Sequence, residues 1–264
     1  MKLILRISTL ACLFLLTLMF KGEAKDNDWE ILKGDNFIVY YRPDAPDDFV
    51  KTVLDSAEDS FKIVSENLGV SRYQGWSWDK RISIYIYRDE KDYIQDGGQA
   101  GWSHGAALVQ TRTIKTYPSD GGFFDSMLPH ELGHIILHEY LGPYADVPLW
   151  FNEGVAMYQE KAKRIATLKL VQDSISNGQF IPLSQLAGMR LYGTSDRSAV
   201  NLYYAESASI VNFMITQLGE GRFHKFCNEL KQGIHFVDAL SKIYMHIKEL
   251  SDLNKKWVDY LKGG

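Results

Sequence analysis

Two histidines and an acid, in the order H-E-L-G-H at residues 130–134, stand inside an otherwise apolar segment. The segment reads M-L-P-H-E-L-G-H-I-I-L-H and predicts a helix, because a proline is tolerated in the first helical turn. Residues four apart share a helix face and lie about 6 Å apart along the axis, so His130 and His134 can bind one metal ion. Glu131 points about 100° away from His130, where a carboxylate can take a proton from an activated water. Read alone, the pattern also fits two core histidines beside a charged residue.

The extended histidine pattern does not supply a third metal ligand. In H-E-x-x-H-x-x-G-x-x-H, Leu137 stands at the glycine position and Tyr140 at the third histidine. His138 follows His130 by eight residues, about 12 Å along a helix, which is too far to share an ion.

An acid that completes the ligand set follows in P-L-W-F-N-E-G-V-A, residues 148–156. Glu153 lies 19 positions after His134, and a helix, a turn and an antiparallel return would bring it back to the metal. The resulting His, His, Glu set with one open position suits catalytic zinc. A carboxylate among apolar neighbours is costly to bury without a partner. The alternative is an exposed acid favoured in the first turn by the helix dipole.

Strand patterns come first along the chain and helix patterns later. Strands are predicted within 29–41 (two, about a turn at 34–36), at 81–88, at 106–110 and at 111–117. Helices are predicted over 47–68, 124–140, 149–161 with a continuation to about 176, 203–218, 222–231 and 247–261. We therefore expect an α+β fold, with a mostly antiparallel N-terminal sheet and a long helix, then a helical C-terminal half.

The chain is predicted to have one domain after an N-terminal targeting segment. A positive start, a 14-residue apolar run and small residues at 22 and 24 predict a signal peptide over 1–24, cleaved near Ala24, with an uncleaved N-terminal anchor as the alternative. Residues 25–264 then form one unit, with a sheet lobe at about 25–122 and a helical lobe at about 123–264. Export implies a secreted or periplasmic protein without a stable membrane span after cleavage.

Charge and cysteine content argue against a nucleic-acid-binding protein and against a fold stabilised by disulfides. The net charge is −4 and no basic block occurs, so an electrostatic basis for nucleic-acid binding is missing. The two cysteines are Cys12, within the predicted signal, and Cys227. The mature fold therefore has no intrachain disulfide.

The two motifs together resemble those of the gluzincin metallopeptidases. H-E-L-G-H followed by W-F-N-E-G-V-A-M-Y, with eighteen residues between His134 and Glu153, is similar to the motif pair of the compact bacterial peptidase-MA-like group. The resemblance extends weakly to N-F-I-V-Y-Y at 36–41 and to Y-A-E-S at 204–207. It implies a zincin-like catalytic domain with one Zn²⁺ held by His130, His134 and Glu153, and Glu131 as general base.

Three further expectations follow from the same resemblance. Related enzymes supply a tyrosine or histidine to the oxyanion, and here Tyr204 is the first candidate, with Tyr203 and His224 behind it; these tyrosines could equally be core or rim aromatics. Met157 stands where thermolysin-like members have an aspartate that orients a zinc histidine, so the acceptor must lie elsewhere. Asn152, Asp146 and Asp125 are the candidates.

The segment 101–117 is expected to contribute an edge strand along which a peptide lies. His104 within it is a candidate substrate contact or a loop histidine without a special role.

The sequence thus predicts an exported zinc metallopeptidase that hydrolyses peptide bonds with a zinc-activated water and acts on a peptide or protein substrate. The alternative is a peptide- or partner-binding module of the same fold that retains zinc and has little turnover. The presence of Glu131 favours the enzyme, since a binding module needs no base. A purely structural role for the zinc is disfavoured, because the set has three protein ligands and no cysteine in reach.

Overall fold

The computed structural model describes residues 29–70, 80–98, 105–119, 122–191 and 196–263. The predicted signal segment, residues 71–79 and His104 lie outside these ranges. The fold is α+β, as predicted.

The sheet of the first half has five strands in the spatial order β1-β2-β3-β5-β4. Their bounds are β1 Glu30–Lys33, β2 Phe37–Tyr41, β3 Ile82–Ile86, β4 Gly105–Leu108 and β5 Thr113–Thr116. The two outer pairs, β1 with β2 and β4 with β5, are antiparallel. The two central pairs, β2 with β3 and β3 with β5, are parallel, so the sheet is mixed and the expectation of a mostly antiparallel sheet is corrected at its centre. Parallel neighbours need a crossover between them, and the helices that follow β2 and β3 provide it.

The long helix α1, Asp47–Leu68, has the bounds that its apolar spacing predicts. Asp47 and Asp48 lie in its first turn, where the helix dipole favours negative charge. Gly69 ends it in the left-handed region at φ 66°. The apolar stripe of the helix is buried and contacts β2 of the sheet.

The second half of the described chain is helical. Its helices are α3 Leu128–Leu141, α4 Leu149–Tyr158, α5 Arg164–Ser176, α6 Leu183–Leu186, α7 Arg197–Thr216, α8 Glu220–Lys231, α9 Phe236–Ile243 and α10 Leu250–Leu261, and α2, Glu90–Gln95, precedes them in the first half. The sequence pattern does not indicate α2, α6 or α9, which are short. A π-helical turn, Phe123–Met127, leads into α3.

One buried apolar core joins the sheet, α1 and most of the later helices. α4 lies at its centre, because Trp150 and Phe151 are fully buried and α4 packs against both α3 and α7. None of the helices within the described ranges is long and apolar enough to cross a membrane.

Candidate metal centre

The helix α3 carries the H-E-L-G-H segment, as the sequence predicts. Pro129 stands at its first turn, where the missing N–H costs no hydrogen bond. Apolar residues between and beside these polar side chains, such as Leu132 and Ile135, are fully buried and fix the helix against the core. His130 and His134 are therefore held on one face by the burial of the other.

Gly133 lets α3 and α4 approach each other closely. A Cβ atom at this position would lie 2.8 Å from Cα of Ala156 on α4. Gly154 serves the same purpose on the other side of α4, where a Cβ atom would lie 2.4 Å from the Ser207 carbonyl oxygen of α7. The two glycines thus explain why α4 can sit between α3 and α7 and bring Glu153 to the histidines.

The side chains of His130, His134 and Glu153 converge. The two Nε2 atoms lie 3.2 Å apart, and Oε2 of Glu153 lies 3.8 Å from Nε2 of His130 and 3.5 Å from Nε2 of His134. A tetrahedral zinc ion at about 2.0–2.2 Å from each ligand separates the ligand atoms by about 3.3–3.6 Å, so the donor set and its spacing fit zinc. Among the residues that the structure describes, these three are the group of potential ligands that meets within 4.8 Å.

A carboxylate orients His130 from behind. Nδ1 of His130 lies 2.8 Å from Oε1 of Glu160, which is 3% exposed. The ring N–H that donates to Glu160 leaves Nε2 with its lone pair directed to the metal position. Burial would raise the pKa of Glu160, but hydrogen bonds from His130, Lys163 and Ser126 outweigh it and lower the pKa to about 2. Glu160 therefore stays ionised at neutral pH.

An amide orients the second histidine. Nδ1 of His134 lies 3.2 Å from Oδ1 of Asn152, one of the three candidates from the sequence. The other two lie in different surroundings: Asp146 lines a small pocket beside Tyr144, and Asp125 lines a pocket beside Pro129. Glu160 was not among the candidates predicted from the sequence, because it lies just after the end of α4 and outside both motifs.

Glu131 lies beside the group of His130, His134 and Glu153, and its carboxyl has a raised pKa. Burial raises the pKa of its carboxyl, and the nearby carboxylates of Glu153 and Glu160 raise it further, against the opposing effect of the two histidines. A carboxyl with a raised pKa is a better proton acceptor than a fully solvated one.

Comparison with known families decides the class of this site. The model of the peptidase MA superfamily matches residues 67–263, which is more than half of the chain and includes both motifs. The chain belongs to the peptidase MA superfamily. Its arrangement is gluzincin-like, as the motifs predict, and supports a zinc metallopeptidase-like protein.

Two solved structures have a similar fold. Native yeast LTA4 hydrolase is similar with a TM-score of 0.55 and 18% identity, covering 85% of this chain and 38% of that one. Yeast LTA4 hydrolase in complex with Bestatin has a TM-score of 0.52 and 16% identity, covering 86% and 38%. This chain therefore spans less than half the length of those proteins. A search of curated proteins found no significant match.

The two candidate tyrosines of this peptidase MA chain lie beside the candidate metal centre, in different environments. Tyr204 on α7 is half-buried and lines a cavity that also contains His130. Tyr203 is fully buried, and within the described residues its hydroxyl has no hydrogen-bond partner. Burial and then the Glu153 carboxylate raise its pKa. The third candidate, His224, lies on α8 against Gly69 at the end of α1.

The cavity beside His130 has a volume of about 650 Å³. α3, α4, α5 and α7 all contribute to its lining. This volume falls in the range of about 300–1,000 Å³ that is typical of ligand pockets.

The expected edge strand is present. β4 stands at one end of the described sheet and pairs only with β5 there. Gly105 at its start contacts Met127, which immediately precedes α3: a Cβ atom at 105 would lie 1.6 Å from the methyl carbon of Met127. An edge strand thus lies next to the helix of the peptidase MA motif.

Proposed function

We propose that this protein is an exported zinc metallopeptidase that hydrolyses peptide bonds with Glu131 as general base. The observation that carries the proposal is the convergence of Nε2 of His130, Nε2 of His134 and Oε2 of Glu153 to within 3.2–3.8 Å of one another beside Glu131. Superfamily membership supports the same class of activity.

The residues of the chain divide the work of hydrolysis among them. Zinc, when bound, supplies Lewis acidity that lowers the pKa of water and polarises a carbonyl. Glu131 takes the proton of the attacking water and later donates it to the amine that leaves. Tyr204, on the cavity wall, donates a hydrogen bond to the oxygen on which negative charge develops. Glu160 and Asn152 hold the two imidazoles with Nε2 towards the ion.

The substrate is proposed to be a peptide in extended conformation. β4 stands at the end of the described sheet and lies beside α3, and a sheet edge can bind an extended peptide as an added strand. Pairing along β4 would carry the peptide past His130 with its carbonyl groups in a fixed register.

Export rests on the pattern of residues 1–24, with a positive start, an apolar run and small residues at 22 and 24. The test is the intact mass of the protein recovered from the exported fraction of its host. We expect a chain that begins at Lys25. A chain that keeps residues 1–24 and sediments with membranes would instead support the uncleaved anchor.

The main experiment measures zinc content and cleavage of an unbiased peptide library. We expect about one zinc ion per chain, and loss of cleavage by about 10²–10⁴-fold in Glu131→Gln with zinc retained. Glu220→Gln, which changes an exposed acid on α8, is the matched control and should cleave normally. Stoichiometric zinc without cleavage of any peptide would favour the binding module, and a protein that neither binds zinc nor responds to it would overturn both functions.

A further inference from the structure

The cavity beside His130 has flexible apolar walls and small residues where two helices face it. Met127, Met157 and Leu170 contribute apolar surface, and the uncharged polar residues of the lining are Ser126, Thr167 and Asn201. Ala166 on α5 and Ala205 on α7 also line it and leave room that a larger side chain would fill. Methionine adapts to differently shaped partners because its side chain is unbranched and polarizable.

The charged side chains in the described lining pair with one another. The ionisable side chains there are His130, Glu160, Lys163 and Tyr204. The Glu160 carboxylate lies 2.8 Å from Nδ1 of His130 and 2.6 Å from Nζ of Lys163, and it also accepts from Ser126. An acidic side chain that entered the cavity would lose water and compete with Glu160 for Lys163, whereas an apolar side chain would gain by leaving water.

The position of the cavity ties this preference to the reaction. His130 forms part of the wall, so a side chain inside the cavity belongs to a substrate residue close to the bond at the metal centre. Tyr204, the proposed oxyanion donor, stands on the same wall next to Ala205.

We propose that this cavity binds a large apolar side chain, such as leucine, methionine or phenylalanine, of the residue next to the scissile bond, and that Ala166 and Ala205 limit its size. The inference rests on the proposed peptidase function and names its substrate class. It predicts a sequence preference, and binding shows that preference as well as turnover does.

The first test compares matched peptides that differ at one position next to the cleaved bond. We expect kcat/KM for leucine to exceed that for glycine or aspartate by about 10–200-fold, the range that differences in a buried apolar side chain produce. Ala166→Leu should reduce the leucine-to-glycine ratio about tenfold or more, because Ala166 is exposed to the cavity and can change without disturbing the core. Lys169→Leu adds the same side chain to the same helix outside the lining and should keep the wild-type ratio.

The second test uses binding and does not need turnover. In the zinc-loaded Glu131→Gln variant, fluorescence polarisation should show tighter binding of the leucine peptide than of the glycine peptide, and Ala166→Leu in that background should reduce the difference. Equal kcat/KM and equal affinity for the three peptides would overturn the apolar cavity even if the protein is a peptidase. A binding preference without cleavage would support the cavity and overturn the proposed function.

Discussion

The carboxylate of Glu160 lies 2.8 Å from Nδ1 of His130 and determines which ring nitrogen of that histidine faces the metal position. The corresponding partner of His134 is the neutral amide of Asn152, at 3.2 Å. A charge-assisted hydrogen bond is shorter and roughly twice as strong as a neutral one, so the two ligands are held with unequal strength. His130 is the more firmly fixed of the two.

Removal of the Glu160 charge should weaken zinc binding more than removal of the Asn152 amide. We expect Glu160→Gln to reduce zinc affinity by about 10–100-fold and Asn152→Ala to reduce it less, as measured by competition with a chromogenic chelator. Glu229→Gln is the matched control, because Glu229 pairs with Lys242 at 2.6 Å as Glu160 pairs with Lys163. Unchanged affinity in Glu160→Gln would contradict the orienting role.

Gly154→Ala should disturb the contact between α4 and α7. The added Cβ would lie 2.4 Å from the Ser207 carbonyl oxygen and 2.7 Å from Cγ2 of Val211. We expect a loss of about 1–3 kcal/mol in the free energy of unfolding, typical of overpacking, together with weaker zinc binding because Glu153 moves with α4. Denaturant unfolding and chelator competition measure the two effects.

The control for this substitution is Gly221→Ala on α8, where a Cβ would meet nothing within 4 Å. Alanine should stabilise that helix position by about 0.4–1 kcal/mol. If Gly154→Ala unfolds like the wild type, the close approach of α4 and α7 is not required for stability.

Tyr204→Phe should reduce kcat while KM changes little. Loss of one hydrogen-bond donor to a developing oxyanion costs about 10²–10³-fold in kcat. Tyr203→Phe is the companion variant, since it removes a neighbouring hydroxyl that has no partner among the described residues. A large loss of kcat in Tyr203→Phe alone would transfer the role to that residue.

Glu206 should make the folded state less stable as the pH rises. Its side chain is fully buried and accepts from the Ile181 N–H at 2.9 Å. Burial raises its pKa to about 8, so between about pH 4.5 and pH 8 the folded protein binds a proton that the unfolded chain has released, and the free energy of unfolding falls with pH. The stability that protonated Glu206 contributes is fully present below the unfolded pKa and is lost as the pH rises through about 8. It amounts to a few kcal/mol, as an order of magnitude.

Glu206→Gln tests this pH dependence because glutamine keeps the acceptor and cannot ionise. Urea unfolding from pH 5 to pH 8.5, with chelator present throughout to exclude zinc linkage, should show a shallower decline in the variant. Parallel pH profiles of the two proteins would show that Glu206 does not titrate in this range.

Local patterns predicted much of this fold and its centre. The bounds of α1 follow from apolar residues at helical spacing and from Gly69, which stops the helix whatever packs around it. The grouping of His130, His134 and Glu153 was predictable because two motifs fix two helix faces and the eighteen-residue gap permits a return.

Other features depend on relationships that spacing along the chain does not encode. The alternation in 81–88 predicts a strand but gives no direction for its neighbours, so the parallel pairing of β3 with β2 and β5 was missed. Glu160 follows the end of α4 and contacts His130 only because α3 and α4 cross closely at Gly133. Neither motif contains it.

The parallel centre of the sheet should govern how this chain reaches its native state. Pairing of Phe37 with Ile82 joins β2 to β3 and closes a loop of about 45 residues, so no local hairpin can nucleate it. α1 can form from local contacts alone, and its buried stripe then offers a surface on which β2 and β3 meet. We expect refolding in milliseconds to seconds, slower than for a helical bundle, with α1 protected from hydrogen exchange before β3.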